Sequence, residues 1–266
     1  MSHDNDMAEK NSMNTSRRDF LSKAAVAGTV TIAPGVLLHT TAQAATEPQS
    51  GNISTKADNE EVSDKNRWGM LIDTAKCADG CTACVDACNE ENGLVGHGRP
   101  ETDTQYIRKV TIREKSTGYE TSLPLMCQHC ETAPCADVCP TGASFVRADG
   151  IALVDKHICI GCRYCMMACP YKARSFVHEN VENQKLSAPR GKGTVESCTM
   201  CVTRVDNGQI PACVEACTKD NHNAMIFGDL NNPNSNISVA LKERGGKQLR
   251  PDLALNTGVR YQGLNK

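Results

Sequence analysis

Apolar residues along this chain come in short runs, each closed by polar or cysteine-containing loops. Arg67-Trp68-Gly69-Met70-Leu71-Ile72-Asp73 predicts a short strand leading into such a loop. Ile151-Ala152-Leu153-Val154-Asp155 predicts another, in the same position before a later loop. Ser144-Phe145-Val146-Arg147 and Ile151 to Val154 flank Ala148-Asp149-Gly150, and Asp-Gly between two apolar runs is a hairpin signal. Residues 89–126 read as an insertion. Within it, Tyr106-Ile107-Arg108-Lys109-Val110-Thr111-Ile112 alternates like a strand and Ser116-Thr117-Gly118 marks a turn, so a second hairpin is expected as a flap or docking surface. Residues 179–196 read as an exposed loop. Beyond Gly228, Asn231-Asn232-Pro233-Asn234 predicts a turn, then a helix over residues 238–244 ended by Gly245-Gly246. Strands and short helices alternating with loops give an α+β class.

The N-terminus follows a different pattern. Ser16-Arg17-Arg18-Asp19-Phe20-Leu21-Ser22-Lys23 precedes an apolar stretch over residues 24–38 and then Thr41-Ala42-Gln43-Ala44. A twin arginine, a short apolar run and an A-x-A site form a Tat-type export signal over residues 1–44. The apolar run holds about 15 residues and includes Gly28, Pro34 and Gly35, whereas a membrane span needs about 20. Residues 45–66 are polar and predict a flexible arm. No later apolar stretch approaches span length, so membrane attachment is expected through partners or an uncleaved signal.

Composition adds two constraints. Aromatic residues make up 4% of the chain and Trp68 is the only Trp. A core this poor in large side chains is expected to be stapled by metal, with the apoprotein largely unfolded. The second constraint is the cysteines. All sixteen fall into four quartets: Cys77, Cys81, Cys84, Cys88; Cys127, Cys130, Cys135, Cys139; Cys159, Cys162, Cys165, Cys169; and Cys198, Cys201, Cys213, Cys217.

The third quartet reads C-I-G-C-R-Y-C-M-M-A-C-P, the C-x2-C-x2-C-x3-C-P run by which thiolates hold a 4Fe–4S cluster. Three other readings compete. Disulfide partners usually come from distant segments, whereas these cysteines crowd together. Structural zinc commonly uses separated C-x2-C pairs and often mixes in His. Free buried thiols would not produce the regularity. Four complete quartets imply four 4Fe–4S clusters and a path for electrons. In two-cluster ferredoxins the fourth cysteine of a run ligates the other cluster, so motifs fold as interlocked pairs. Export of a folded protein fits this content, since unfolded passage would expose the thiols to oxidation.

The formal charge of −2 counts every thiol as neutral. Four clusters would add about 8 negative charges, which disfavours nucleic acid as a partner. Arg163, Lys172, Arg174 and Arg204 lie near the motifs and could offset that charge. Among the seven His, His129 and His157 sit beside cluster cysteines and read as supporting or surface residues, because every quartet is already complete. A cluster with four Cys ligands has no open position for substrate. No nucleotide fingerprint or nucleophile–base motif stands out, so no catalytic residue is expected.

Several segments now carry a family likeness. They are Cys127-Gln128-His129-Cys130, Ala133-Pro134-Cys135, Cys139-Pro140-Thr141-Gly142-Ala143, Cys159 to Tyr171, Glu196-Ser197-Cys198-Thr199-Met200-Cys201, Pro211-Ala212-Cys213-Val214-Glu215-Ala216-Cys217 and Phe227-Gly228-Asp229-Leu230. The chain resembles the four-cluster electron-transfer subunits of dimethyl sulfoxide, polysulfide and tetrathionate reductases over most of residues 67–245. Residues 246–266 then read as a C-terminal extension. The resemblance implies tandem ferredoxin-like domains, with motifs paired first with fourth and second with third. It implies one cluster on Cys77, Cys81, Cys84 and Cys217, and its neighbour on Cys88, Cys198, Cys201 and Cys213. A third would sit on Cys127, Cys130, Cys135 and Cys169, and the fourth on Cys139, Cys159, Cys162 and Cys165.

Two departures fall on the first–fourth pair. Cys77-Ala78-Asp79-Gly80-Cys81 is one residue longer than C-x2-C, and Thr218-Lys219-Asp220-Asn221-His222 follows the last quartet where many relatives have Pro-Thr-Gly-Ala. With the export signal and the ending Arg250-Pro251-Asp252-Leu253 through Leu264, they resemble one branch of the family, the periplasmic iron–sulfur subunits of Dsr membrane complexes. That branch implies a quinone-interacting membrane subunit and a multihaem cytochrome as partners, at the periplasmic face of the inner membrane. The alternative is an electron-transfer partner of a molybdopterin reductase acting on a sulfur compound. A disulfide- or zinc-stapled binding module is the alternative from a different class. Replacing Arg17 and Arg18 by Lys is expected to abolish periplasmic accumulation in cell fractionation, and unchanged accumulation would overturn the export reading.

Overall fold

The structure, a computed structural model, describes residues 61–264 apart from 183 and 221. The expected export signal and most of the polar arm lie outside the described residues. A three-stranded sheet is built on β1 (Trp68–Asp73), which is almost wholly buried. A continuous apolar run suits a strand covered on both faces. β8 (Met225–Asp229) pairs with β1 in antiparallel sense, Met70 opposite Phe227. β9 (Val259–Gln262) pairs on the other edge in parallel sense, Ile72 opposite Tyr261. Trp68 stacks on Phe227 with ring centroids 5.4 Å apart.

The C-terminal extension beyond residue 245 supplies β9, an edge of the central sheet. Val259 and Tyr261 are fully buried, and the Tyr261 hydroxyl donates to the Pro124 carbonyl at 3.0 Å while accepting from Gln128 Nε2 at 3.2 Å. Glycine permits the close approach: a Cβ on Gly69 would lie 2.6 Å from the Leu230 side chain and 2.8 Å from the Gly258 carbonyl.

The two expected hairpins are present. β2 (Ile107–Arg113) pairs with β3 (Glu120–Met126) along its length. Its tip is exposed, while Ile107, Leu123 and Met126 anchor its base in the core. Arg108 donates to the carbonyls of Tyr171 and Lys172 at 3.2 and 2.8 Å, lashing the hairpin to the third motif. β4 (Ser144–Val146) pairs with β5 (Ala152–Val154) around Gly150, whose φ of 87° is the left-handed conformation the turn needs. Arg147 on this hairpin binds both Asp149 and Asp206, the latter in the fourth motif's helix.

Residues 179–196 are not an open loop throughout. β6 (Ser175–Phe176) pairs with β7 (Val195–Glu196), and Val195 and Glu196 are buried. Arg190 makes a buried ion pair with Glu196 at 3.0 Å and donates to the Gly93 carbonyl. Removing one partner would strand a buried charge, at a cost of about 3–5 kcal/mol. The segment's polar composition hid this pair.

Six helices among the described residues complete the fold: α1 (Ala83–Asn92), α2 (Pro134–Asp137), α3 (Tyr164–Ala168), α4 (Val202–Asp206), α5 (Ala212–Lys219) and α6 (Asn236–Arg244). The inserted segment therefore begins after α1, not at residue 89. α6 starts two residues earlier than the apolar pattern suggested, because Ser235 caps it by accepting from the Ser238 N–H. It packs Ile237 and Ala240 on Leu71 across the sheet. Tyr261→Ala is expected to cost about 3–5 kcal/mol and Tyr261→Phe about 1–3 kcal/mol. Limited proteolysis should rank the alanine variant above phenylalanine and both above wild type; equal rates would deny β9 a structural role.

Candidate iron–sulfur sites

In every quartet the last two cysteines are four residues apart: Cys84 and Cys88, Cys135 and Cys139, Cys165 and Cys169, Cys213 and Cys217. Side chains at that spacing share a helix face. α1 carries the first of these pairs and α5 the last, the two helices pack together, and all four thiols are buried. Cys135 lies on α2 and Cys165 on α3, which pack together as well. The first motif is thus brought against the fourth and the second against the third.

Mutual electrostatics sort the thiols further. Burial, then Cys77, with Cys217 and Cys81 beside it, pushes the Cys84 thiol up to about 11. Burial raises Cys213 too, followed by Cys201, Cys88 and Cys198. Cys130 is pushed up to about 12 by burial and then by Cys127, Cys135 and Cys169. Cys139, Cys159, Cys162 and Cys165 line one small cavity with Thr141 and Gly161. These four groups stand in a row. Cys84 acts on both Cys88 and Cys213, Cys127 acts on Cys198, and Cys135 acts on Cys165.

All sixteen cysteines are free thiols. A single zinc ion would need its sulfurs about 2.3 Å from one point, and among the described residues no three Cys, His, Asp or Glu side chains are close enough to share an ion. The donor set suits a 4Fe–4S cluster, in which each thiolate binds its own iron. Buried thiols that resist ionisation need compensating positive charge, and an iron core is what supplies it when bound.

Neighbouring groups already point at the sulfurs. Backbone N–H groups of Ser144, Met200 and Ala224 donate to Cys139, Cys198 and Cys217 at 3.4, 3.4 and 3.3 Å. Asn92 Nδ2 lies 3.6 Å from Cys88 Sγ. Burial would raise Cys139, but the donors from Ser144 and Thr141 outweigh it and lower this thiol. Of the four basic residues near the motifs, Arg174 reaches a sulfur, donating to Cys135 at 3.0 Å. Arg163 instead lies over the Phe176 ring at 3.8 Å, Arg204 is paired with Glu91 and Glu215, and Lys172 is exposed. A cation that the sequence did not mark is Lys109, whose Nζ lies 2.9 Å from Cys77 Sγ. The alternating pattern of β2 predicted its strand, but nothing local predicts which loop that strand crosses.

His129 is buried, and its Nδ1 accepts from the Ala152 N–H at 3.0 Å. Burial, and then Arg174, depress it to about 3. It is neutral and ties the second quartet to β5, a supporting role. His157 is exposed.

Exposure of the thiols is uneven. Ten are buried, Cys77, Cys81, Cys139, Cys159 and Cys201 are half-buried, and Cys162 is exposed. The half-buried and exposed thiols therefore gather mainly at the two ends of the row. Around Cys162 the surface is apolar, with Ile158, Ile160, Tyr164 and Met167 all exposed.

The family described as "4Fe-4S dicluster domain" matches residues 119–230, which span three of the quartets. The Hdr-like menaquinol oxidoreductase iron-sulfur subunit 1 of Archaeoglobus fulgidus is 39% identical, over 77% of this chain and 86% of its own. A subunit of the tetrathionate reductase of Salmonella typhimurium is 34% identical, over 95% and 90% respectively. The chain belongs to this family of 4Fe–4S electron-transfer subunits. Protein NrfC of Escherichia coli is a further relative, 40% identical over 72% of this chain and 77% of its own. In this iron–sulfur subunit, no helix among the described residues is long and apolar enough to cross a membrane.

Proposed function

We propose that this iron–sulfur subunit carries four 4Fe–4S clusters and relays electrons along them between two partners. The observation that carries the reading is the row of four thiol groups, each within electrostatic reach of the next. The ligand sets follow it: Cys77, Cys81, Cys84 and Cys217; Cys88, Cys198, Cys201 and Cys213; Cys127, Cys130, Cys135 and Cys169; Cys139, Cys159, Cys162 and Cys165. Each cluster supplies a one-electron carrier when bound. The chain's own residues hold the thiolates, exclude water from the two middle sites, and leave the two outer sites nearer the surface. The apolar surface around Cys162 supports partner contact at one end.

The complex we propose is of the Dsr type, with the subunit exported by its twin-arginine signal to the periplasm. A quinone-interacting membrane subunit and a multihaem cytochrome are its proposed partners. The longer spacing of Cys77 and Cys81, the segment after Cys217 and the C-terminal sequence support that branch. A relative named for menaquinol oxidation supports the quinone side. The second reading, an electron-transfer partner of a molybdopterin reductase, is favoured by relatives named for tetrathionate reductase and dimethyl sulfoxide reductase. Isolating the native complex from membranes and identifying its subunits decides between them: a multihaem cytochrome is expected, and a large molybdopterin protein would favour the second reading.

Anaerobic purification is expected to yield about 16 iron and 16 inorganic sulfide per chain; stoichiometric zinc or no metal would overturn the cluster reading. Cys169→Ser is expected to damage the cluster of Cys127, Cys130 and Cys135. Damage confined to the cluster of Cys159, Cys162 and Cys165 would overturn the crossed pairing.

A further inference from the structure

Two cations touch cysteine sulfurs. Lys109 reaches Cys77 in the first site and Arg174 reaches Cys135 in the third, at 2.9 and 3.0 Å. Arg174 also acts on Cys165 of the fourth site, so its charge is shared between those two. The second site receives neutral donors, Asn92 and the Met200 N–H. Arg204, near it, is neutralised by Glu91 and Glu215. The first and second sites, side by side in the row, therefore differ by the ammonium of Lys109.

The longer first motif is part of the same device. Its loop holds three residues between Cys77 and Cys81, where the other three quartets begin with two. The Ala78 carbonyl in that loop accepts from the Cys81 N–H at 3.3 Å and also from Lys109 Nζ at 2.9 Å. Gly80 takes a φ of 72° to close the turn. The longer loop thus seats the ammonium against the sulfur, and Lys109 is carried there by β2 of the inserted hairpin. Among the described residues Lys109 makes no ion pair with a carboxylate. Arg174 is buried, and its Nε and Nη1 have no protein partner. Those two donors remain free to face a negatively charged group between the third and fourth sites.

Cluster potentials respond to net charge and to hydrogen bonds on the sulfurs. A cation on a ligand sulfur favours the reduced, more negative state. We propose that Lys109 raises the potential of the first cluster above that of the second, so that an electron passing between them crosses a step set by one side chain. This rests on the four-cluster reading and names the residue that tunes it.

The test is potentiometric titration followed by electron paramagnetic resonance on the purified holoprotein. Iron content measured first separates the two claims, since fewer than four clusters in the wild type would overturn the underlying reading instead. With four clusters present, Lys109→Gln is expected to move one midpoint to a more negative value and leave three in place, and Lys109→Arg to restore it. An unmoved midpoint in Lys109→Gln, or an equal shift of all four, would overturn the proposal. Should Lys109→Gln lose iron, wild-type midpoints assigned through Cys77→Ser and Cys88→Ser decide the matter. The first site must rank above the second, and the reverse order refutes it.

Discussion

Buried sulfur that must become negatively charged is the constraint on which this fold depends. A thiol enclosed by protein and surrounded by other thiols holds its proton more tightly, as Cys84 and Cys130 do. The chain answers by concentrating hydrogen-bond donors and two cations on the sulfurs, and by leaving the remainder of the charge to iron. Short helices serve that end. A cysteine pair four residues apart gives α1 and α5 a sulfur-bearing face, α2 and α3 carry one cysteine each, and packing α1 on α5 and α2 on α3 brings these sulfurs together.

The rest of the architecture keeps the two helix pairs in register. Arg147 joins the β4–β5 hairpin to α4 through Asp206, and Trp68 joins the same hairpin to β1 by donating its N–H to the Asp149 carbonyl at 3.0 Å. Arg108 joins the inserted hairpin to the third motif. These bonds cross between the first–fourth and second–third halves, so neither half is free to drift from the other. Spacing between carriers is thereby held by polar contacts between ordinary side chains.

Much of this was legible in the sequence where the cause is local. Asp149-Gly150 fixes its hairpin because Gly150 alone accepts the required backbone angle, and the cysteine spacing names its cofactor class because iron ligation demands it. Long-range causes left no such trace. Nothing near Val259 announces that it will lie beside Met70. Lys109 reads as an ordinary polar position on an exposed strand until the strand is laid across the Cys77 loop. The buried pair of Arg190 and Glu196 is invisible for the same reason, since each charge signals solvent until the other is found. Arg174 lies between these cases: it sits near a motif, but so do Lys172 and Arg163, which touch no sulfur.

The strand β9 bears on how the protein is made. It follows every cysteine in the chain, yet its partner β1 precedes them all. During synthesis one edge of β1 therefore stays unpaired until the ribosome has passed the last motif, and the pairing closes over a long sequence separation, which is slow. A chain that stops early exposes an open strand edge, the kind of surface that invites aggregation. The late strand thus ties the sheet to a finished set of ligands, and an interrupted product is marked by its own open edge.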